Sequence, residues 1–187
     1  MSGTETIKTF DAGLKSGTTL QSGKYTILKT LGQGGFGITY LAEMRVGSGN
    51  MTIKIAIKEF FIKLEHFRGD NGCTVCCTNN ELKKDEIERW KKKFKRETKV
   101  MKSVDDFRVV KIIDYFEENA TAYYSMEYIE GCNLNEYVPI NGLSEMDSLL
   151  LIEKVAQSLK VLHNKNILHL DLNPMNIMRR NDGSVVI

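Results

Sequence analysis

Tyr25-Thr-Ile-Leu-Lys-Thr-Leu-Gly-Gln-Gly-Gly-Phe-Gly-Ile-Thr-Tyr-Leu-Ala42 decides how this chain folds. Apolar residues alternate with polar ones on both sides of Gly32-Gln-Gly-Gly-Phe-Gly37, the period-two signature of strands. The glycine spacing also fits a dinucleotide-binding fingerprint, but that site needs a helix directly after the glycines. Here Ile38-Thr-Tyr-Leu41 follows and is strand-like, so the glycines cap a hairpin. A backbone without Cβ atoms can approach phosphate groups closely. Taken alone, the motif is equally a flexible turn.

Outward from that hairpin the pattern continues. Met51 to Ile57 reads as a third strand, joined through Gly47 and Gly49, and the three make an antiparallel meander. Phe61 to Asn80 is polar and irregular and reads as an inserted loop. Glu81 to Val104 has helical periodicity, with Trp90, Phe94, Met101 and Val104 on one face. Val109 to Phe116 and Thr121 to Ile129 read as two strands around a Glu-Glu-Asn-Ala turn. After Gly131 a second long helix starts at Ser144, where Ser144 and Asp147 form a weak capping box. Its expected stripe is Leu149, Ile152, Val155, Ala156, Leu159 and Leu162, and Asn164 to Asn166 end it. Ile167 to Met178 follows as loop and short strand, then an Asn181-Asp182-Gly183 turn and a strand from Val185 to Ile187. The class is α+β with a small sheet lobe.

Composition narrows the function classes. The 187 residues are 42% hydrophobic and 27% charged, with net charge +2 and two prolines. That excludes a disordered acidic tail, a collagen-like fibre and a disulfide mini-scaffold. A near-neutral chain gives no field for nucleic acid or an anionic membrane. Met1 to Gly23 is polar and lacks the basic and apolar regions of a secretory signal. No stretch approaches the ~20 apolar residues that cross a bilayer. Four cysteines without an export signal point to free thiols in a cytoplasmic setting. Within the Cys73, Cys76, Cys77 cluster, adjacent cysteines would hold one zinc ion awkwardly, so free loop thiols are expected.

Three further features carry chemistry. Lys58 ends Ile55-Ala-Ile-Lys, and alone it reads as a solvated strand end. Glu97 falls on the apolar stripe of its helix by its spacing from Trp90, Phe94, Met101 and Val104. A carboxylate there needs a cation, and Lys58 is the one without another explanation. His169-Leu-Asp-Leu-Asn-Pro-Met-Asn176 sets Asp171 and Asn176 five residues apart, able to supply a base and a neutral oxygen ligand suited to Mg²⁺.

Together these motifs resemble the front of a eukaryotic-type protein kinase domain, of the serine/threonine kind found in bacteria. The glycine loop matches at Gly32, Gly34 and Gly37, the Ala-x-Lys strand at Ala56 and Lys58, and the helix glutamate at Glu97. The catalytic loop matches at His169, Asp171, Pro174 and Asn176, and Met126-Glu-Tyr-Ile-Glu-Gly131 resembles the gatekeeper and hinge. The resemblance runs from Tyr25 to Ile187. It implies a kinase-like fold with a complete small β-sheet lobe, one helix and an incomplete helical C-lobe. The expected division is a flexible leader at 1–24, an N-lobe and hinge at 25–129 with an inserted loop at 61–80, and a partial C-lobe at 130–187.

The resemblance also implies site roles. ATP is expected to lie against Leu31, Gly32, Gly34, Gly35, Gly37, Thr39 and Ala56, with Met126 behind adenine and the backbone of Glu127, Tyr128 and Ile129 binding it. Lys58 is expected to hold the α- and β-phosphates and to pair with Glu97. Asp171 is expected to serve the substrate hydroxyl, and Asn176 to hold one Mg²⁺. The implied reaction is γ-phosphoryl transfer to serine or threonine of a protein substrate.

Departures accompany the match. Leu170 stands where relatives carry the arginine that contacts a phosphorylated activation loop. Asn173 replaces a lysine near the γ-phosphate; it can donate a hydrogen bond but not a full charge. Thr39 stands for a valine packing on adenine. No Asp-Phe-Gly occurs among the 187 residues. The chain alone is therefore expected to lack transferase activity, to bind MgATP weakly if at all, and to associate through an exposed C-lobe surface. Its reading frame is expected to continue into Asp-Phe-Gly. A nucleotide-binding or scaffolding pseudokinase and a small-molecule kinase of similar fold are the alternatives.

Overall fold

The computed structural model describes residues 12–47, 51–77 and 81–187. Parts of three expected segments lie outside it: 1–11 of the leader, 48–50 of the second turn and 78–80 of the insertion. The chain opens with β1 (Thr19–Leu20), β2 (Tyr25–Gln33), β3 (Gly37–Arg45) and β4 (Thr52–Phe60). A short hairpin of β5 (His66–Arg68) and β6 (Val75–Cys77) precedes α1 (Glu81–Lys102), and β7 (Ile112–Glu118) and β8 (Thr121–Glu127) follow. One antiparallel sheet takes the order β1-β2-β3-β4-β8-β7. The second half comprises β9 (Gly131–Asn133), α2 (Leu134–Tyr137), α3 (Glu145–His163), β10 (Met178–Arg180) and β11 (Val185–Val186). Among the described residues, no helix is long and apolar enough to cross a membrane.

Alternation along β4 gives the sheet two buried faces. Ile55 and Ile57 join Tyr25, Ile27, Ile38, Tyr40 and Tyr123 in the outer core. Phe60 on the inner face packs with Ile87, Trp90 and Phe94 of α1. The outer core is covered by segments that the sequence suggested were irregular. Residues 12–24 are not a flexible leader: Leu14 and Leu20 are buried, and β1 pairs with β2, Leu20 opposite Tyr25. Two leucines in a polar stretch suffice, because an apolar sheet face left open would cost more than ordering the strand. Residues 61–77 are likewise no loose loop, since β5 pairs with β6, Arg68 opposite Val75.

Arg68 explains why that hairpin holds. Glu59, fully buried on the outer face of β4, receives four donors. Its Oε1 accepts from Arg68 Nη1 at 2.8 Å and the Tyr123 hydroxyl at 2.7 Å. Its Oε2 accepts from Arg68 Nη2 and from the Tyr40 hydroxyl at 2.6 Å. Arg68 also donates to the carbonyls of Ala12 and Cys73. A buried ion pair is tolerable only when its remaining lone pairs and protons are satisfied, and this one is. Burial pushes both tyrosine pKa values upward, reinforced by the Glu59 charge.

The lower core joins both halves. Met101 and Val104 meet Val109, Leu134, Leu162, Ile177, Val185 and Ile187. Val109 and Val110 leave the expected strand because Val110 N–H donates to Ile187 O and Ile187 N–H to Arg108 O. Ser144 caps α3 as expected, accepting from Asp147 N–H at 3.1 Å. The expected stripe of α3 is rotated, however. Leu149 and Ile152 are 58% and 65% exposed and Ala156 is exposed, while Leu151, Val155, Ser158, Leu159 and Leu162 face inward. The run Leu149 to Ile152 permits either face, and docking on β11, where Ser158 Oγ reaches Val185 O, selects one.

Candidate nucleotide and catalytic site

The glycine hairpin joins β2 to β3. Gly34 N–H donates to Gly37 O at 2.9 Å, and Thr39 sits in register with both Gly32 and Lys58. Gly37 is required by the protein's own packing, since a Cβ there would lie 2.9 Å from Glu59 O and 3.1 Å from Lys58 Cε. The other loop glycines differ. A Cβ on Gly32 or Gly35 meets nothing within 4 Å, and one on Gly34 only Gly37 O at 4.0 Å. The chain itself does not use that room.

Lys58 is half-buried at the end of β4, opposite Tyr124 of β8. Its ammonium forms no ion pair with any described residue. The expected Lys58–Glu97 pair is therefore absent. Glu97 has a side chain 58% exposed and lies 3.7 Å from Lys93, one turn back. The spacing set it on the apolar stripe, whereas the structure leaves it at the edge. The centre is Thr98, which is buried and bonds Phe94 O through Oγ1 at 2.8 Å. A solvated carboxylate needs no buried cation, so the desolvation argument for the pair fails.

Ala56 and Met126 are register partners on β4 and β8, and Ile129 is buried while Leu31 is 42% exposed. Beyond Met126, Glu127 is fastened three ways. Its N–H donates to Lys111 O, its Oε1 accepts from Lys111 N–H at 2.9 Å, and its Oε2 accepts from Arg180 at 3.0 Å. Tyr128 and Ile129 follow without strand pairing, and Ile129 N–H has no hydrogen-bond partner among the described residues. Arg180, which ties the second half to this segment, was missed; nothing local in Met178-Arg-Arg180 distinguishes it from a solvated cation.

In the loop after α3, Leu170 takes a left-handed backbone at φ 62°, immediately before Asp171. Two amides then hold that carboxylate. Asn173 Nδ2 donates to Oδ1 at 3.1 Å, and Asn176 Nδ2 donates to Oδ2 at 2.8 Å and to the Asp171 carbonyl at 2.9 Å. Asn173 Oδ1 in turn caps the short helical turn at Pro174–Asn176 by accepting from Met175 N–H. Asn173 is thus more than a missing lysine, because it fixes both the loop and Asp171. Asn176 Oδ1 bonds no described residue, so a neutral hard oxygen stands ready there. It fits Mg²⁺, which takes one or two protein oxygens and fills its shell with phosphates and water. His169 is half-buried, and burial pushes its pKa down.

The cysteines lie apart from these residues. Cys73 packs on the outer core and Cys77 near Phe60, where burial raises its thiol pKa. No group of three or more His, Cys, Asp or Glu among the described residues is arranged to hold a metal ion.

The chain resembles known kinases along most of its length. Residues 66–187 match the family described as "Protein kinase domain". Serine/threonine-protein kinase PrkC of Bacillus subtilis is 29% identical over 167 residues, 89% of this chain and 22% of that protein. Serine/threonine-protein kinase cds1 of Schizosaccharomyces pombe is 30% identical over 87% of this chain and 31% of its own length. Among solved structures, the apo form of PpkA-294 superposes with a TM-score of 0.78 at 21% identity, over 94% of this chain and 60% of that one. The Mycobacterium tuberculosis PknI kinase domain, in a doubly mutated form, gives 0.66 at 22% identity over 94% of this chain and 62% of its own. The chain thus spans under a third of these curated relatives and about three fifths of these solved domains. With the matched family covering well over half of its residues, the chain belongs to the protein kinase domain family.

Proposed function

We propose that the protein binds ATP between the glycine hairpin and the Asp171 loop and transfers its γ-phosphoryl group to serine or threonine of a protein substrate. The observation that carries this reading is Lys58, a half-buried cation with no anionic partner among the described residues, packed beneath Gly37. A buried cation is costly without a partner, and a phosphate supplies one. Gly32, Gly34 and Gly35 admit the phosphates, and the N–H of Ile129 donates to adenine, with Met126 behind it. Asn176 would hold Mg²⁺, whose charge offsets that of the phosphates when bound. Asp171, held by the two amides, orients the substrate hydroxyl and accepts its proton. Asn173 keeps that carboxylate aimed.

A second reading, a nucleotide-binding pseudokinase, is favoured by one observation: Glu97 rests on Lys93 and leaves Lys58 alone. The test is calorimetric titration with MgATP. Binding that weakens at least tenfold in Lys58→Ala supports nucleotide capture, and equal binding by both proteins refutes it. Phosphate transfer to a serine-rich protein, lost in Asp171→Asn with nucleotide affinity retained, separates kinase from pseudokinase.

A further inference from the structure

Trp90 is the single tryptophan in the chain, and it meets the tip of the glycine hairpin. Its ring stacks on Phe36 with centroids 4.6 Å apart and planes 24° from parallel. Other contacts gather at the same point. Gly35 O accepts from Lys63 N–H at 3.1 Å, tying the hairpin tip to the segment that leads into α1. The Lys93 ammonium lies 5.5 Å from the Trp90 ring centroid, and the same ammonium holds Glu97. Phe36, Trp90, Lys93 and Glu97 therefore form one continuous chain of contacts from hairpin to helix. Beside the stack lies a cavity of about 180 Å³ walled partly by Phe36, Ile62, Ile87 and Trp90. Phe36 remains 54% exposed, so the tip can leave without opening a core.

We propose that the Phe36–Trp90 stack is a latch coupling the glycine hairpin to α1. Closed, it keeps the hairpin tip on the helix while Glu97 stays on Lys93, away from Lys58. When phosphate groups draw the hairpin over themselves, the stack opens and the hairpin tip leaves α1. This rests on the nucleotide reading above for the identity of the ligand. An aromatic pair shifts an equilibrium by a factor of roughly two to twelve, and a ligand that must open the latch binds more weakly by up to that factor.

The test uses the 187-residue chain, with Trp90 emission as one readout and calorimetry with a magnesium complex of a non-hydrolysable ATP analogue as the other. Without nucleotide, Phe36→Ala red-shifts Trp90 emission and increases its quenching by acrylamide, whereas Phe36→Tyr, which keeps the stack, does neither. Nucleotide moves wild-type emission toward the Phe36→Ala value. Phe36→Ala binds the analogue roughly three- to tenfold more tightly than wild type, and Phe36→Tyr binds like wild type. Calorimetric binding with unchanged emission and no gain in Phe36→Ala overturns the latch and leaves the nucleotide reading standing. A chain that binds no nucleotide at millimolar concentration overturns that reading, and the latch with it.

Discussion

Glu59 and Lys58 are consecutive on β4, and strand alternation sends them to opposite faces of one sheet. On the outer face, Glu59 has four donors on two oxygens and Arg68 binds it bidentately. On the inner face, Lys58 has no ionic partner among the described residues, and the helix carboxylate that could serve it is held by Lys93. One charge is satisfied wholly from within the fold, and the other has no ionic partner among the described residues. The outer face is thus architecture, and under the proposed function the inner face around Lys58 binds nucleotide. Substitutions on β4 should divide along the same line.

The outer face should break hardest. Arg68→Ala leaves Glu59 buried and unpaired, so it should lose about 3–5 kcal/mol of stability in urea unfolding. The double variant Arg68→Met with Glu59→Met should recover most of that loss, because no buried charge remains. If Arg68→Ala unfolds like wild type, the clasp is not structural.

The inner face should show the reverse pattern. Asp171→Asn should abolish phosphoryl transfer in a protein that carries it out, while nucleotide affinity stays within about twofold, since the carboxylate serves the hydroxyl. Asn173→Lys sharpens the point. It restores a charge near the γ-phosphate but removes an Asp171 hydrogen bond and the Met175 cap, so activity tests which of the two matters more. Sequence alone suggests no loss; the observed bonds predict a several-fold loss.

Acid should weaken the outer face next. Burial pushes the His66 pKa below its ordinary value, with Glu59 and Glu65 opposing that shift and Arg68 and Lys91 adding to it. The unfolded chain then binds more protons than the folded one. His66 therefore contributes stability that is complete above about pH 6.5 and is lost as pH falls through its folded pKa. His169 shifts in the same direction. Urea midpoints should fall between pH 7 and 5, and fall less in His66→Phe. The smallest effect belongs to Glu97→Ala, an exposed pair one helical turn long. It should change nucleotide-free stability by less than about 0.5 kcal/mol.

Much of the fold was legible because alternation and helical period are local. The meander, α1 and the Ser144 cap follow from residues within a few positions of each other. What escaped depends on distant partners. Leu14 and Leu20 show their purpose only beneath the outer core, and Arg68 only opposite Glu59. Val109 and Val110 look like strand until Asp106 O takes the Val109 N–H and Ile187 O the Val110 N–H. At the site, the glycines, Lys58, Asp171 and Asn176 could be named from spacing and from the kinase resemblance. The environment of Glu97 could not, because helical spacing fixes a residue's angle only to within the width of the apolar stripe. Thr98, with a hydroxyl that bonds its own helix, occupies the place assigned to the glutamate. The amide pair around Asp171 was also hidden, since side-chain hydrogen bonds within a loop leave no periodic mark in the sequence.

The most direct measurement is an amide-resolved NMR titration of the chain with the magnesium complex of a non-hydrolysable ATP analogue. The account predicts shifts at Gly32, Gly34, Gly35, Lys58, Ile129, Asp171 and Asn176, with Arg68 and the β5–β6 hairpin unmoved. Shifts centred on that hairpin, or none at the glycines and Lys58, would contradict it.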